Sequence, residues 1–192
     1  TGRIFEGNDG GFYISDDFGD SWLKINNLPI TQFYHIEIDY LNPERIYGGT
    51  QDNNTIRTLT GATDDWEPIL GGDGMVCRVD PTNSNMIYAE YQWGNLFRSF
   101  DLGNNFDYIA WAFEEDRRNW SAPYILHPEE SSTIYFGTYR LWKGTDHGNE
   151  WEAISGDLTM GDAGSTFHTL TTIDISTHHP GYILTGADDG MV

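Results

Sequence analysis

The chain has 192 residues, 38% hydrophobic and 15% aromatic, which is enough apolar surface for a folded protein and too much for a disordered one. Its formal charge is −20, from 10 Lys+Arg against 30 Asp+Glu. That balance excludes nucleic acid and anionic membrane surfaces as partners, and one cysteine, Cys77, rules out an intrachain disulfide framework.

Glycine is abundant at 22 residues, as many short strands and turns require, and no apolar run approaches the length of a membrane helix. Taken in order, the chain repeats one phrase. Apolar pairs occur at Ile4-Phe5, Ile46-Tyr47, Ile87-Tyr88, Ile134-Tyr135 and Ile183-Leu184. Turns containing Pro precede four of them, at 42–45, 80–85, 127–132 and 178–181. Before each turn lies an alternating segment (34–39, 75–79, 124–126, 170–175), the pattern of a half-buried strand.

After the pairs comes an octapeptide, Ser/Thr-x-Asp-x-Gly-x-x-Trp. It reads S-D-D-F-G-D-S-W at 15–22, S-F-D-L-G-N-N-F at 99–106 and G-T-D-H-G-N-E-W at 144–151. Its positions are Ser15, Asp17, Gly19 and Trp22; Ser99, Asp101, Gly103 and Phe106; and Asp146, Gly148 and Trp151. The aspartate suits side-chain bonds to nearby backbone N–H groups, the glycine permits positive φ, and the terminal ring pins the hairpin. These aspartates are therefore expected to be structural, not catalytic. A fourth copy at 58–66 has decayed: Thr60 stands for the Asp and one residue is inserted.

The spacing of the central aspartates, 84 residues (two steps of 42) and then 45, fits propeller blades. The expected fold is all-β, a β-propeller of four-stranded antiparallel blades. The units are 1–30 (partial), 31–70, 71–116, 117–155 and 156–192 (partial), about four and a half blades. The tail W-A-F-E-E-D-R-R lengthens one connection between them. The chain begins at Thr1 with no signal peptide, and both ends fall at equivalent strands. It is thus expected to be a piece of a larger propeller, and not a stable monomer by itself.

The octapeptide resembles the Asp-box, or BNR repeat, of sialidases, xyloglucanase-type glycoside hydrolases, sortilin-type receptors and photosystem II assembly factors. Longer stretches extend the resemblance over essentially the whole chain: I-Y-G-G-T-Q-D-N-N-T-I-R at 46–57, 71–99, 119–137, I-S-G-D-L-T at 154–159 and I-L-T-G-A-D-D-G at 183–190. Together these are similar to the large secreted bacterial Asp-box proteins described as sortilin-like or glycosyl-hydrolase-like, which carry two linked propellers. The resemblance implies a secreted or periplasmic protein. It specifies fold and not activity.

Candidate ligand groups lie in the turn after each Ile-Tyr strand. One aligned column is Asp9, Gln51, Gln92, Tyr139 and Asp188; the next is Gly10, Asp52, Trp93, Arg140 and Asp189. Rings for stacking and carboxylates or amides for hydroxyls suit a sugar, while Asx capping of the turns explains any single acidic position. In F-E-G-N-D-G-G, Asp9 matches a catalytic Asp turn of the xyloglucanase-type hydrolases, except that their motif has one more residue before the glycines. Glycoside hydrolysis needs a second carboxyl group. Asp188, Asp189 and Asp52 are candidates by register, and the resemblance places the partner acid in a second propeller.

Two functions follow. The first is a module that binds a glycan or protein ligand and contacts the rest of its own propeller or another chain. The alternative is one propeller of a xyloglucanase-like glycoside hydrolase, inactive as this segment. Three arginines and a Tyr nucleophile, as in a sialidase, are not assembled in the candidate column. His178-His179 before a Pro turn reads as surface loop, so no metal site is expected. The pairs Asp16-Asp17, Asp64-Asp65 and Asp188-Asp189 would suit Ca²⁺ but lack EF-hand spacing, and no cofactor is required.

Overall fold

A computed structural model describes every residue except Thr1, Asp9, Asn27, Pro29 and Ala163. The chain divides into two compact units, Thr1–Gln32 and Phe33–Val192. The first holds an antiparallel sheet of β1 (Ile4–Asn8), β2 (Gly11–Ser15) and β3 (Leu23–Lys24).

The second unit holds four antiparallel sheets. β4 (Phe33–Ile38), β5 (Ile46–Thr50), β6 (Thr55–Thr58) and β7 (Glu67–Leu70) form one. The next contains β8 (Gly74–Asp80), β9 (Asn83–Tyr91), β10 (Asn95–Ser99) and β11 (Asp107–Tyr108). A third contains β12 (Tyr124–Leu126), β13 (Ile134–Gly137), β14 (Leu141–Thr145) and β15 (Glu150–Ala153), and the last pairs β16 (Leu170–Ile175) with β17 (Ile183–Ala187). Strands follow chain order across each four-stranded sheet, so every connection is a hairpin. The leading strands β4, β8, β12 and β16 pack against the neighbouring sheets in sequence.

Apolar layers fill the joints between sheets. Tyr47 of β5 packs with Cys77 and Val79 of β8. Met86, Tyr88 and Leu96 pack with Tyr124, Ile134 and Phe136. Tyr135 packs with Ile173 and Ile175 of β16. The Ile-Tyr pairs of the sequence are thus joint residues: Tyr47, Tyr88 and Tyr135 sit at one register, facing Arg57, Arg98 and Lys143 on the third strand. Burial pushes the Cys77 thiol well up, so it behaves as a small apolar residue.

The octapeptide turns close through side-chain bonds. In the first, Ser15 Oγ donates to Asp17 Oδ1 at 2.8 Å and accepts the Gly19 N–H at 2.8 Å. Asp17 accepts the Ser21 N–H at 2.9 Å. In the second, Ser99 Oγ bonds Asp101 Oδ1 at 2.7 Å, and Asp101 accepts the Asn105 N–H at 2.9 Å. Phe18, Leu102 and His147, with the glycines that follow them, all have positive φ, so two successive left-handed residues reverse the chain and the second must be small. The decayed copy at 58–66 is repaired from the other side. Asp65 accepts the Thr58 hydroxyl and the Thr60 N–H, the latter at 3.1 Å.

The side chain of Asn105, then Ser99, then the Asn105 N–H hold the Asp101 carboxyl down to about 2. A depressed folded-state pKa gives stability that is present above the unfolded value near pH 4 and lost as pH falls through about 2. Asp101→Asn is therefore expected to flatten the fall in melting temperature between pH 5 and pH 2. An unchanged acid limb in the variant would show that this bond network does not couple to folding.

Candidate functional site

The hairpin turns β5–β6, β9–β10 and β13–β14 and the segment after β17 lie at the end of their sheets opposite the octapeptide turns. The links between sheets, 71–73, 109–123 and 154–169, reach the same end. Both candidate columns fall here, except Gly10, which lies in the β1–β2 turn of the first unit, and Asp9, which lies outside the described residues.

Backbone hydrogen bonds tie each turn to a link. Asn54 N–H donates to Gly72 O at 3.0 Å, Trp93 N–H to Trp120 O at 2.9 Å, and Asp188 N–H to Thr169 O at 3.1 Å. Side chains add to this. Asp73 accepts the Asp52 N–H at 2.7 Å, and its own N–H donates to Gln92 Oε1 at 3.0 Å. The Gln51 carbonyl accepts from Asn53 at 2.9 Å. Asp52, Asn54 and Trp93 all have positive φ. For a bulky tryptophan that conformation costs about 1–3 kcal/mol and persists only where the surroundings impose it.

The carboxylates that follow β17 are already engaged. Asp188 accepts the Thr169 N–H at 2.9 Å and its hydroxyl at 3.2 Å. Asp189 accepts the Met160 N–H at 2.7 Å and the Met191 N–H at 3.2 Å, and lies 3.0 Å from His168 Nδ1. The Met160 bond leads the group of contacts that lower the Asp189 pKa. Both residues act as caps on the 154–169 link. Arg140 is likewise paired: Asp116 binds its Nε and Nη2 at 2.9 and 2.8 Å and also accepts Trp142 Nε1 at 2.8 Å. Burial raises the Asp116 pKa, but these donors outweigh it and hold the carboxyl ionised. The Tyr139 ring lies between the Arg117 and Arg140 guanidiniums, at 4.4 and 5.1 Å.

Asp52 and a pair of aromatic rings stay open to solvent. Trp93 is 45% exposed and Trp120 38% exposed, and their rings meet edge to face at 5.1 Å. Sequence register marked Trp93 but not Trp120, because Trp120 lies in the long link and has no counterpart in the other repeats. The tail W-A-F-E-E-D-R-R was the only local sign that this link is unusual. Among the described residues no group of three or more His, Cys, Asp or Glu could hold a metal ion. No helix among them is long and apolar enough to cross a membrane.

No protein-family model matches the chain. No curated protein matches it either. Solved structures do. The chain is similar to the GH74 enzyme of Niastella koreensis at 17% identity, over 99% of this chain and 32% of that one, with a TM-score of 0.61. It is similar to the GH74 xyloglucanase from Xanthomonas campestris at 17% identity, over 99% and 32%, with a TM-score of 0.53. The Cps50 (Swd1) beta-propeller domain of Myceliophteria thermophila matches at 12% identity, over 97% and 59%, with a TM-score of 0.58. The fold is a β-propeller. At these identities the likeness extends to fold alone. The chain spans a third or less of the GH74 enzymes that it matches.

Proposed function

We propose that this chain is a segment of a secreted Asp-box β-propeller that binds a glycan or protein ligand at the end bearing Trp93 and Trp120. The observation that carries this reading is the exposed Trp93–Trp120 pair, with Trp93 held at positive φ. Strain of that kind collects at binding sites, and flat exposed rings suit stacking on a sugar face or on a partner's aromatic side chains. Gln92 precedes Trp93 in the turn, and its Oε1 accepts the Asp73 N–H. The octapeptide bonds around Asp17 and Asp101 support the Asp-box assignment, and in this reading the units 31–70, 71–116 and 117–155 are the blades. The remaining partner is the rest of the propeller, from the same polypeptide or another chain.

The test is retention on a panel of immobilised neutral polysaccharides. Trp93→Ala is expected to weaken binding by about tenfold or more, the effect of losing about 1.4 kcal/mol at an aromatic anchor. Equal retention of the variant and the parent protein on every matrix would sink the glycan reading.

A second reading, one propeller of a xyloglucanase-like glycoside hydrolase, is favoured by the GH74 fold likeness and by Asp9 in F-E-G-N-D-G-G. Its weakness is that Asp188 and Asp189 are committed to backbone donors. In this reading the partner acid lies in a second propeller. Release of reducing sugar by the full polypeptide, abolished by Asp9→Ala, would establish it over the first reading.

A further inference from the structure

Three residues of the 109–123 link, spaced two apart, meet the β9–β10 turn. The Trp120 carbonyl accepts the Trp93 N–H at 2.9 Å. Arg118 Nη1 donates to the Gly94 carbonyl at 3.2 Å. Ala122 lies against the same glycine. A Cβ added at Gly94 would stand 2.8 Å from the Ala122 Cβ, 2.8 Å from Phe136 Cζ and 3.4 Å from Arg118 Cδ. Gly94 is buried, and the turn lies flat on the link with no room for a side chain there.

The other contact of Arg118 is inside the link, where Nη2 donates to the Glu114 carbonyl at 3.4 Å. Its neighbour Arg117 pairs with Asp157, and Arg140 pairs with Asp116. Arg118 forms no ion pair among the described residues. Its donors go to backbone carbonyls, so it braces backbone where the other two guanidiniums join charges.

The braced turn is the one whose sequence resists its shape. Trp93 and Gly94 have φ of 67° and 65°. In the β5–β6 turn the positive φ fall on Asp52 and Asn54, residue types that tolerate the left-handed region. In the β13–β14 turn Thr138, Tyr139 and Arg140 have none. A tryptophan keeps such a conformation only where its surroundings impose it. Released, Trp93 would leave the left-handed region and carry its ring away from Trp120.

We propose that Arg118 is a positioning residue: by holding the Gly94 carbonyl it keeps the Trp93 backbone left-handed and the Trp93 ring set against Trp120. The proposal rests on the Trp93–Trp120 surface being the binding site. A face formed in advance avoids the ordering cost of fixing a large side chain on association. Loss of the guanidinium removes one of the two hydrogen bonds between turn and link, so the remaining one, from Trp93 N–H to Trp120 O, opens more often.

Amide hydrogen exchange at single-residue resolution reads that bond without a ligand. Three amides tie this end of a sheet to a link: Trp93 to Trp120 O, Asn54 to Gly72 O and Asp188 to Thr169 O. Arg118 braces the first of these alone. In Arg118→Met the Trp93 amide is expected to exchange about tenfold faster or more, the effect of losing a hydrogen bond from a charged donor. The Asn54 and Asp188 amides should keep their parent rates. Arg118→Lys retains one donor centre on a flexible stem and should give an intermediate rate. Retention on the polysaccharide panel should fall roughly two- to tenfold in Arg118→Met, the ordering cost of one large side chain. An unchanged Trp93 rate in Arg118→Met overturns the proposal. A rise shared equally by Asn54 and Asp188 also overturns it, because that is general loosening. Should Arg118→Met fail to fold, Arg118→Lys is read against the same three amides with the same outcomes. If Trp93 alone accelerates and the parent protein is retained on no polysaccharide, the positioning role stands and the glycan reading falls.

Discussion

Phe136→Ala is expected to lower the unfolding free energy by about 3–5 kcal/mol, the range for truncating a fully enclosed aromatic side chain. Phe136 has no exposed surface and lies in the joint between the β8–β11 and β12–β15 sheets. Phe113 stacks on it at 4.3 Å, Tyr124 at 6.3 Å, and the Trp151 ring meets it edge-on at 6.4 Å. Three rigid rings cannot collapse into the space, so the cavity persists and its cost adds to the lost burial. Phe100→Ala is the control, since Phe100 is 51% exposed and its loss should cost about 0.5 kcal/mol or less. Denaturant unfolding of both variants decides the matter. A Phe136→Ala protein within about 1 kcal/mol of the parent would mean that the joint is looser than its ring distances imply.

Arg57→Ala carries the second large effect, about 3 kcal/mol, because it leaves several acceptors without a donor at once. Arg57 is 5% exposed. Its fork bonds Glu67 within its own sheet, then crosses the joint to Leu102 O and to Asn104 Oδ1, the last at 2.8 Å. Arg98 repeats the crossing one sheet later, to His147 O at 2.8 Å and Asn149 Oδ1 at 2.7 Å. Both arginines stand one residue before the Ser or Thr position of the octapeptide, and both grip the octapeptide turn of the next sheet. A double-mutant cycle of Arg57→Ala with Asn104→Ala should return a coupling of about 0.5–3 kcal/mol. Simple additivity would show that the cross-joint bond contributes nothing of its own.

The elements that could be read in the sequence are those whose causes are local. The octapeptide turns close on their own side chains, so Ser15, Asp17 and Gly19 announce the hairpin without reference to any neighbour. The Ile-Tyr pairs and alternating segments locate the second and leading strands for the same reason. Arg57 and Arg98 share one register, just before the octapeptide, and each bonds the octapeptide turn of the next sheet. Asp65 could not be read as the replacement for the missing Asp, because its rescue of the 58–66 turn comes from the opposite side of the hairpin. The engagement of Asp188, Asp189 and Arg140 was also invisible. Their partners Thr169, Met160 and Asp116 lie in links of irregular length, where repeat register carries no information. Trp120 belongs to the same category, since it lies in the 109–123 link, outside the repeat register.

The arginine forks have a consequence for how force would travel through the protein. Arg57 and Arg98 fasten the octapeptide end of two successive joints with planar, multi-toothed grips. Lys143 holds the same register on β14, opposite Tyr135, and carries one ammonium on a flexible stem. A pull on the chain would therefore meet stiff fasteners at the first two seams. In a structure whose sheets touch only their neighbours, separation begins at the most compliant seam and stops at the next stiff one. The order of yielding is written in where an arginine stands one residue before the Ser or Thr of an octapeptide turn.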